Sequence, residues 1–327
     1  MDEREKLARI RLIQTRHIGP MTFSLLIQRY GSALAALAAI PDLAARGGRK
    51  LSIASLADAK AELAANDDAG ARLIWRDSDS YPLRLAQFDD APVTLSTRGN
   101  LHLLHKPMIA LVGARNASIN AIRHAETLAR ELGEAGYVIV SGMARGIDAA
   151  AHRGAMATGT VGVIAGGIDI IYPPENRALF QQIVDEGLLL AEMRPGIAPT
   201  PRHFPTRNRI IASLALGVVV IEAAAKSGSL ITAREAGERG SEVMAIPGSP
   251  INPRSNGYNQ LIRVGATLVQ KAADIIDAVD QHRTVEIPPK KQYGLKCHKQ
   301  LLPTQTFQNA ARSSFQGLAA NRLVLKI

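Results

Sequence analysis

Between residues 108 and 280 the hydrophobic residues fall into short unbroken runs separated by segments of helical length. Strands that are apolar on both faces are typical of a parallel sheet covered by helices. The predicted strands are 108–112, 137–140, 161–165, 188–190, 218–221, 243–246 and 266–269, and the predicted helices are 119–135, 147–157, 175–185, 210–216, 230–237 and 272–279. Because crossovers between parallel strands are right-handed, this order predicts an α/β fold with a doubly wound, Rossmann-like parallel sheet.

The first seventy residues instead show helical periodicity, which begins with apolar residues from Leu7 to Ile13. Gly19-Pro20 ends the first helix, and Thr22 is the expected cap of a second one. The turn between them resembles a helix-hairpin-helix, whose amides can contact phosphate, but an ordinary αα-hairpin that only packs is favoured. We predict a small all-helical domain, of the SAM or helix-hairpin-helix type, over residues 1–72.

The net charge of +10 is concentrated near the C-terminal end of the sequence. Residues 285–327 contain seven Lys or Arg and one Glu, and their hydrophobic pattern is weak. The rest of the chain is only mildly basic, so an interaction with nucleic acid must depend on local clusters. After the helical domain we therefore predict a Rossmann-like domain over 73–283 and a basic tail over 284–327.

Composition excludes several classes of protein. With 46% hydrophobic residues the chain can bury a sizeable core, which argues against general disorder. The longest apolar run, 210–221, is shorter than the roughly 20 residues that span a bilayer, and the charged N-terminus does not resemble a signal peptide. A single cysteine, Cys297, forms neither an intrachain disulfide nor a zinc site by itself. We expect a cytoplasmic protein without membrane association, metal or cofactor.

The residues after the first predicted strand favour an anionic ligand, because ligands of doubly wound sheets bind at the carboxyl ends of the strands. Gly113 allows a tight turn, Ser118 can cap the next helix, and Arg115 lies beside a helix N-terminus that attracts anions. The loop has one glycine where a dinucleotide fingerprint needs three, and Ser141-Gly142 stands where that fingerprint has an acidic residue. Nicotinamide-cofactor chemistry is therefore disfavoured.

The loop after the second strand offers backbone amides and a pair of polar side chains. Ser141 and Gly142, followed by Gly146, can present a row of amides to phosphate, although the Gly-Lys-Ser/Thr of a Walker loop is absent from this sequence. Asp148 and His152 are four residues apart on one helix face, the spacing of a metal-binding or acid–base pair. Such pairs more often cap and pack, and we favour that interpretation.

Three arginines without an acidic residue precede the helix predicted at 210–216. If Thr206 or Asn208 caps this helix, Arg207 and Arg209 lie at its positive end. Cations are unfavourable there, so this placement suggests that a bound anion compensates. Structural salt bridges account for the same arginines equally well.

The loop after the strand at 218–221 carries the sharpest signal. Lys226 supplies a point charge, and Ser227, Gly228 and Ser229 open a helix with the sequence of a phosphate-binding nest. Nest, charge and helix N-terminus coincide here, and a simple capped turn is the alternative.

Taken in order, these motifs resemble those of the DNA-processing protein DprA (Smf) family over about residues 75–280, and the preceding helices are similar to that family's N-terminal module. The resemblance is carried by Val112 to Ser118, Ser141 to Asp148 with His152, Tyr172-Pro173 before Asn176, Phe204 to Ile211, and Ser227 to Ala233. The family implies a protein that binds single-stranded DNA through its phosphates, dimerises, and loads the RecA recombinase onto incoming DNA during natural transformation. Such proteins often end in a winged-helix-like domain, which the segment after Asp280 does not resemble.

The resemblance implies a phosphate-binding site on the Rossmann-like, DNA-binding domain. Its expected members are Arg115, Ser118, Ser141, Gly142, Arg207, Asn208, Arg209, Lys226, Ser227, Gly228 and Ser229. With six Phe, six Tyr and one Trp, an extended stacking platform is not expected, so binding should be mainly electrostatic. Phe204, Tyr172 and Tyr258 could each stack a base, but internal or dimer packing is favoured.

Two functions from different classes remain open. The first is a non-catalytic, homodimeric mediator whose partners are single-stranded DNA and RecA. The alternative is a nucleoside-phosphate hydrolase, since related Rossmann-like proteins act on nucleotides at an equivalent rim, and Glu222 or Asp148 would be its general base. The rim contains donors and cations rather than paired carboxylates, which favours the mediator.

Overall fold

The computed structural model describes residues 1–46 and 52–283, so the basic tail predicted at 284–327, without a winged-helix domain, lies outside the described residues. The α-helices are α1 (Glu3–Gln14), α2 (Pro20–Tyr30), α3 (Ala33–Arg46), α4 (Leu56–Asp68), α5 (Leu83–Ala86), α6 (Ile119–Glu134), α7 (Ile147–Gly154), α8 (Arg177–Glu186), α9 (His203–Leu214), α10 (Ser229–Glu238), α11 (Asn256–Arg263) and α12 (Ala272–Arg283). The β-strands are β1 (Arg72–Trp75), β2 (Thr94–Gly99), β3 (Met108–Gly113), β4 (Val138–Ser141), β5 (Thr160–Gly167), β6 (Leu188–Met193), β7 (Gly217–Ile221), β8 (Glu242–Ala245) and β9 (Thr267–Leu268). Short 3-10 turns cover Leu101–His105, Pro174–Asn176 and Pro253–Ser255.

The strands of the described residues form one sheet in the order β1-β2-β6-β5-β4-β3-β7-β8-β9. Strands β3 to β9 pair in parallel, whereas β2 pairs antiparallel with both β6 and β1 at one edge. The chain moves outward from β3 to β6 and then returns to the other side of β3 to form β7. This reversal confirms the predicted doubly wound, Rossmann-like topology, and it places the topological switch point between β3 and β7.

Side chains of the central strands alternate between two apolar cores. On β3, Ile109 and Leu111 pack with α6 and α7 on one face of the sheet. Ala110 and Val112 of the same strand pack with α9 and α10 on the other face. Both faces are therefore buried, which explains why these strands are unbroken apolar runs in the sequence.

Helices α1 to α4 form the predicted N-terminal helical region, and their core includes residues from the sheet edge. Ile10 and Phe23 belong to the same buried cluster as Trp75 of β1. The Ser96 hydroxyl of β2 donates to Asn66 Oδ1 of α4 at 2.7 Å. The helices thus pack on the antiparallel edge, and the division into domains at residue 72 stays a prediction.

Two predicted helix starts are wrong. Helix α2 begins at Pro20 with Gly19 at its N-cap, so Thr22 does not cap it. Proline suits a first helical position because its φ is preset and its missing N–H has no partner there. Helix α9 begins at His203, so Thr206 and Asn208 lie inside the helix and neither caps it.

Within the described ranges, no single helix is long and apolar enough to cross a membrane. Helix α2 and the first part of α3 meet the criteria of length and composition only as a pair, which is bent by 102°.

Candidate functional site

A cleft of about 200 Å³ opens at the carboxyl ends of β4 and β5. Its lining includes the loop at 142–145 and Arg115 from the loop after β3. Ile164, Tyr172 and Phe204 also line the cleft. The cleft therefore combines backbone polar groups, a cation and aromatic rings at the edge of the sheet where this fold binds ligands.

Arg115 is exposed at this cleft, as its sequence position predicts. Its guanidinium lies 5.1 Å from the centre of the Phe204 ring, and that ring lies 5.8 Å from the Tyr172 ring at an angle of 50°. No carboxylate of the described residues forms an ion pair with Arg115. A guanidinium that is stacked on a ring and lacks a counter-ion is suited to bind an anion.

The loop after β4 is held in shape by buried side chains. Ser141 is fully buried and its hydroxyl donates to Leu111 O at 2.6 Å, so its side chain does not reach the cleft as expected. Gly142 lines the cleft, and Met143 adopts φ 60°, a region that residues other than glycine rarely occupy. Asn176 Nδ2 donates to Met143 O at 2.9 Å. The loop is therefore tied to the protein interior.

Arg207 is buried beneath this loop and not at the end of α9. Its Nη1 donates to Gly142 O and, at 2.5 Å, to Val163 O, while its Nε donates to Asn208 Oδ1 at 3.1 Å. Burial raises the pKa of Asp148, against the opposing effect of Arg207. Burial also lowers the pKa of Arg207 to about 10, although Asp148 raises it. The guanidinium therefore stays charged near neutral pH.

His152 is a neutral member of the same buried group. The Thr160 hydroxyl donates to Ile139 O at 3.0 Å, so it accepts from His152 Nδ1, which lies 2.7 Å away. Nε2 has no hydrogen-bond partner in the part of the chain that the structure describes. Burial, followed by the nearby arginines, lowers the pKa of His152 to about 3. The spacing of Asp148 and His152 thus agrees with the packing interpretation.

The N-terminus of α6 holds an anion that belongs to the chain itself. Ser118 N and Oγ donate to the Glu222 carboxylate at 3.1 and 2.6 Å, and Arg254 Nη1 lies 3.6 Å from Glu222 Oε1. Glu222 is only 7% exposed, and it follows β7 directly at the switch point. An external anion would be favoured at such a helix end, but the carboxylate already occupies it. Both donors of Ser118 are therefore in use outside the cleft.

Arg209 also differs from the expected arrangement. Its Nη2 donates to Glu192 in an ion pair, and its Nη1 donates to Asp90 O at 2.5 Å. Burial raises the pKa of Glu192, and Arg209 lowers it. The side chain thus joins α9 to β6 and to the segment before β2. Salt bridging accounts for Arg209, whereas the structure does not bring it to the cleft.

The loop before α10 borders α9 and does not line the cleft. Lys226 is exposed, and no ion pair joins it to another described residue. The Ser227 and Ser229 hydroxyls are hydrogen bonded at 2.7 Å, and α10 begins at Ser229 without a side-chain cap. Asn208 Nδ2 donates to Gly228 O at 3.4 Å. The loop is therefore tied to the same helix that carries Arg207.

The predicted site lacked several residues that line the cleft, among them Arg145, Tyr172 and Phe204. Arg145 lies on the loop shared with Gly142, and its Nη1 is 3.3 Å from Glu175 Oε1. Tyr172 and Phe204 line the cleft, although internal or dimer packing was favoured for both from the sequence. The available signal was that Arg145 and Tyr172 follow the carboxyl ends of strands and that Phe204 lies at the start of α9. Within the described ranges, no group of three or more His, Cys, Asp or Glu could hold a metal ion.

The fold and the cleft define a class of protein. It is a doubly wound α/β protein with backbone amides, arginines and aromatic rings around a cleft at the carboxyl ends of its strands. Comparison with protein families makes the assignment specific. The chain belongs to the DNA recombination-mediator protein A family, whose model matches residues 72–280. A model of the DprA-like N-terminal HHH domain matches residues 3–65.

Known relatives agree with this assignment. The DNA processing protein DprA of Streptococcus pneumoniae is 46% identical over 200 residues, which cover 61% of this chain and 71% of that protein. The X-ray structure of DprA from the same organism has a TM-score of 0.62 at 34% identity and covers 80% of this chain and 98% of that chain. DNA processing protein A from Helicobacter pylori, whose structure was described for its single-stranded DNA binding mode, has a TM-score of 0.60 at 30% identity. That match covers 65% of this chain and 98% of the Helicobacter pylori chain.

Proposed function

We propose that this protein is a single-stranded DNA-binding recombination mediator that holds the strand by its phosphates. The observation that carries the proposal is Arg115, which is exposed, stacked on Phe204 and without a carboxylate partner among the described residues. The family assignment and the single-stranded DNA binding of the Helicobacter pylori relative support the proposal.

The proposed phosphate-binding surface combines exposed cations with glycine and serine turns. It consists of Arg115, Gly142, Lys226, Ser227, Gly228 and Ser229. The two cations supply charge and the turns supply amides, a division of roles that is typical of phosphate sites. Ser118, Ser141 and Arg209 are left out because their donors bond elsewhere in the protein. Asn208 contributes indirectly because it holds Gly228.

Binding of a fluorescent oligothymidylate, followed by anisotropy at physiological salt, tests this surface. Arg115→Ala and Lys226→Ala should each lower the affinity by about 1–3 kcal/mol, because each removes a charge-assisted contact. Neither should change the free energy of unfolding by as much, since both side chains are exposed.

Arg130→Ala is the matched control. Arg130 is exposed near the C-terminal end of α6. It therefore lies toward the amino ends of the strands, whereas the cleft is at their carboxyl ends. Its replacement should leave the affinity unchanged. If Arg115→Ala and Lys226→Ala both bound the oligonucleotide as tightly as the parent, the strand would have to bind elsewhere on the molecule.

The family resemblance implies two protein partners for the mediator, a second copy of the chain and RecA. We propose that the protein is a homodimer and that it loads RecA during natural transformation. Leu268 of the edge strand β9 is 49% exposed, and Val264, shortly before that strand, is 64% exposed. Exposed apolar side chains at a sheet edge suit contact with a second copy. Light scattering of the parent and of Leu268→Glu tests the dimer, and the rate of RecA filament formation tests loading.

We propose that the protein is not a nucleoside-phosphate hydrolase, because both candidate general bases are engaged. Glu222 accepts from Ser118 and pairs with Arg254, and Asp148 is buried against Arg207. Incubation with nucleoside monophosphates should therefore release neither base nor phosphate. Turnover by the parent that is lost in Glu222→Gln would instead establish the hydrolase.

A further inference from the structure

Arg207 and Arg209 are two residues apart on α9, yet their surroundings differ completely. Residues at this spacing point to opposite sides of a helix. Arg209 pairs with Glu192, on the side of α9 away from the cleft. Arg207 extends under the cleft, with only 7% of the residue exposed. The same local sequence therefore produces two different roles.

The Arg207 guanidinium links the ends of two neighbouring parallel strands. Gly142 O, to which it donates, follows directly after β4, and Val163 O, which accepts a second bond, belongs to β5. A third donor, Nε, bonds to Asn208 Oδ1. Because the planar fork of a guanidinium reaches several acceptors at fixed angles, it fixes the distance between these strand ends.

The loop above this guanidinium depends on such support. Met143 has φ 60°, a conformation that costs free energy for a residue with a side chain. A Cβ atom on Gly142 would overlap the Arg207 guanidinium and the Asp148 carboxylate, so the backbone packs directly against both side chains. Asp148 Oδ2 also accepts from Ala144 N at 3.3 Å. The pair therefore contacts the loop through both of its members.

We propose that Arg207 is a positioning residue, which holds the loop at 142–146 in the shape that presents its amides to the strand and does not itself bind a phosphate. The inference rests on the proposed binding of single-stranded DNA. It assigns to this arginine a role that its position in a cationic motif conceals, because its Nε and Nη1 donate to oxygen atoms of the protein.

The salt dependence of oligothymidylate binding separates a positioning residue from a ligand. Each phosphate that a protein neutralises on a single strand contributes about 0.7 to the slope of log K against log salt. Arg115→Ala should therefore reduce the slope by about 0.7. Arg207→Met should weaken binding about tenfold or more while leaving the slope unchanged. A slope that falls in Arg207→Met as it does in Arg115→Ala would overturn the inference.

Two further variants guard against loss of folding. Arg209→Met removes an arginine of the same helix and should leave binding and slope as in the parent. Asp148→Asn with Arg207→Met removes both charges of the buried pair, so it avoids an uncompensated buried charge and should bind as weakly as Arg207→Met alone. Binding as tight as that of the parent in this double variant would contradict the inference.

Amide hydrogen exchange gives a readout that does not need DNA. Exchange in the loop at 142–146 should be faster in Arg207→Met than in the parent, and unchanged in Arg115→Ala. If the parent bound no oligothymidylate, the proposed function would fail while this measurement still decided whether Arg207 holds the loop. Equal exchange in the parent and in Arg207→Met would refute the positioning role.

Discussion

Two places at the carboxyl ends of the strands contain similar groups, but one lacks an anion from the chain and the other holds one. At the cleft beyond β4 and β5, Arg115 is exposed and has no carboxylate partner among the described residues. At the N-terminus of α6, Arg254 and the donors of Ser118 surround the carboxylate of Glu222. Helix ends, serines and arginines therefore identify places that suit an anion, but they do not show whether the anion comes from outside or from the chain.

The largest expected effect concerns the support beneath the open cleft. Asp148→Asn would remove the nearby carboxylate whose charge favours the buried guanidinium of Arg207, and we expect the free energy of unfolding at pH 7 to fall by about 3–5 kcal/mol. Denaturant unfolding measures this loss. The double variant with Arg207→Met should regain much of it, and a double variant no more stable than Asp148→Asn would show that the charge pair is not the cause.

A smaller effect should appear as a pH dependence of the same buried group. The pKa of His152 is about 3 in the folded protein and about 6.5 in an unfolded chain. Between these values the unfolded chain binds a proton that the folded protein does not. Stability should therefore fall as the pH is lowered below about 6.5, by about 1.4 kcal/mol per pH unit, or about 2 kcal/mol at pH 5.

The variant His152→Asn isolates this contribution. Its amide can replace the Nδ1 donor to Thr160, but it does not titrate. Asp148, whose raised pKa acts in the opposite direction, is present in both proteins and cancels in the comparison. Unfolding curves between pH 7 and pH 4.5 should be less pH-dependent for the variant. Identical dependence in the two proteins would mean that His152 does not stay neutral in the fold.

The smallest effect is expected at the N-terminus of α6, where Glu222 is bound. Glu222→Gln keeps an oxygen that can accept from Ser118 but removes the charge beside Arg254. We expect a loss of about 1 kcal/mol in unfolding free energy and no change in oligothymidylate affinity. A clear loss of affinity in a folded Glu222→Gln would show that the two places are not independent.

The sheet was more predictable from the sequence than the site. Strands β3 to β7 are largely buried on both faces, so each one is visible as a run of apolar residues. Strand β1 was not predicted because it has four residues and pairs only at the antiparallel edge. Helix α11 was not predicted because its sequence is polar and contains Gly257. Helix α9 was placed too late because Arg202 precedes it without a side-chain cap.

At the site, local sequence identified the loops but not the direction of their side chains. Arg207 and Arg209 occur in one acid-free segment, and their different environments come from Asp148 and Glu192, which are distant in sequence. Ser118 similarly donates to the carboxylate of Glu222, which follows β7, the strand that pairs with β3. Such pairings depend on strand order, which a single sequence does not specify residue by residue.

Glu222 has one more consequence. Because its carboxylate is covalently attached, its concentration at the start of α6 is fixed by the chain and does not follow that of any solute. A dissolved nucleotide or inorganic phosphate would have to displace a tethered competitor to reach the same amides. The amides at the start of α6 therefore stay bound to Glu222 when the concentrations of such solutes change.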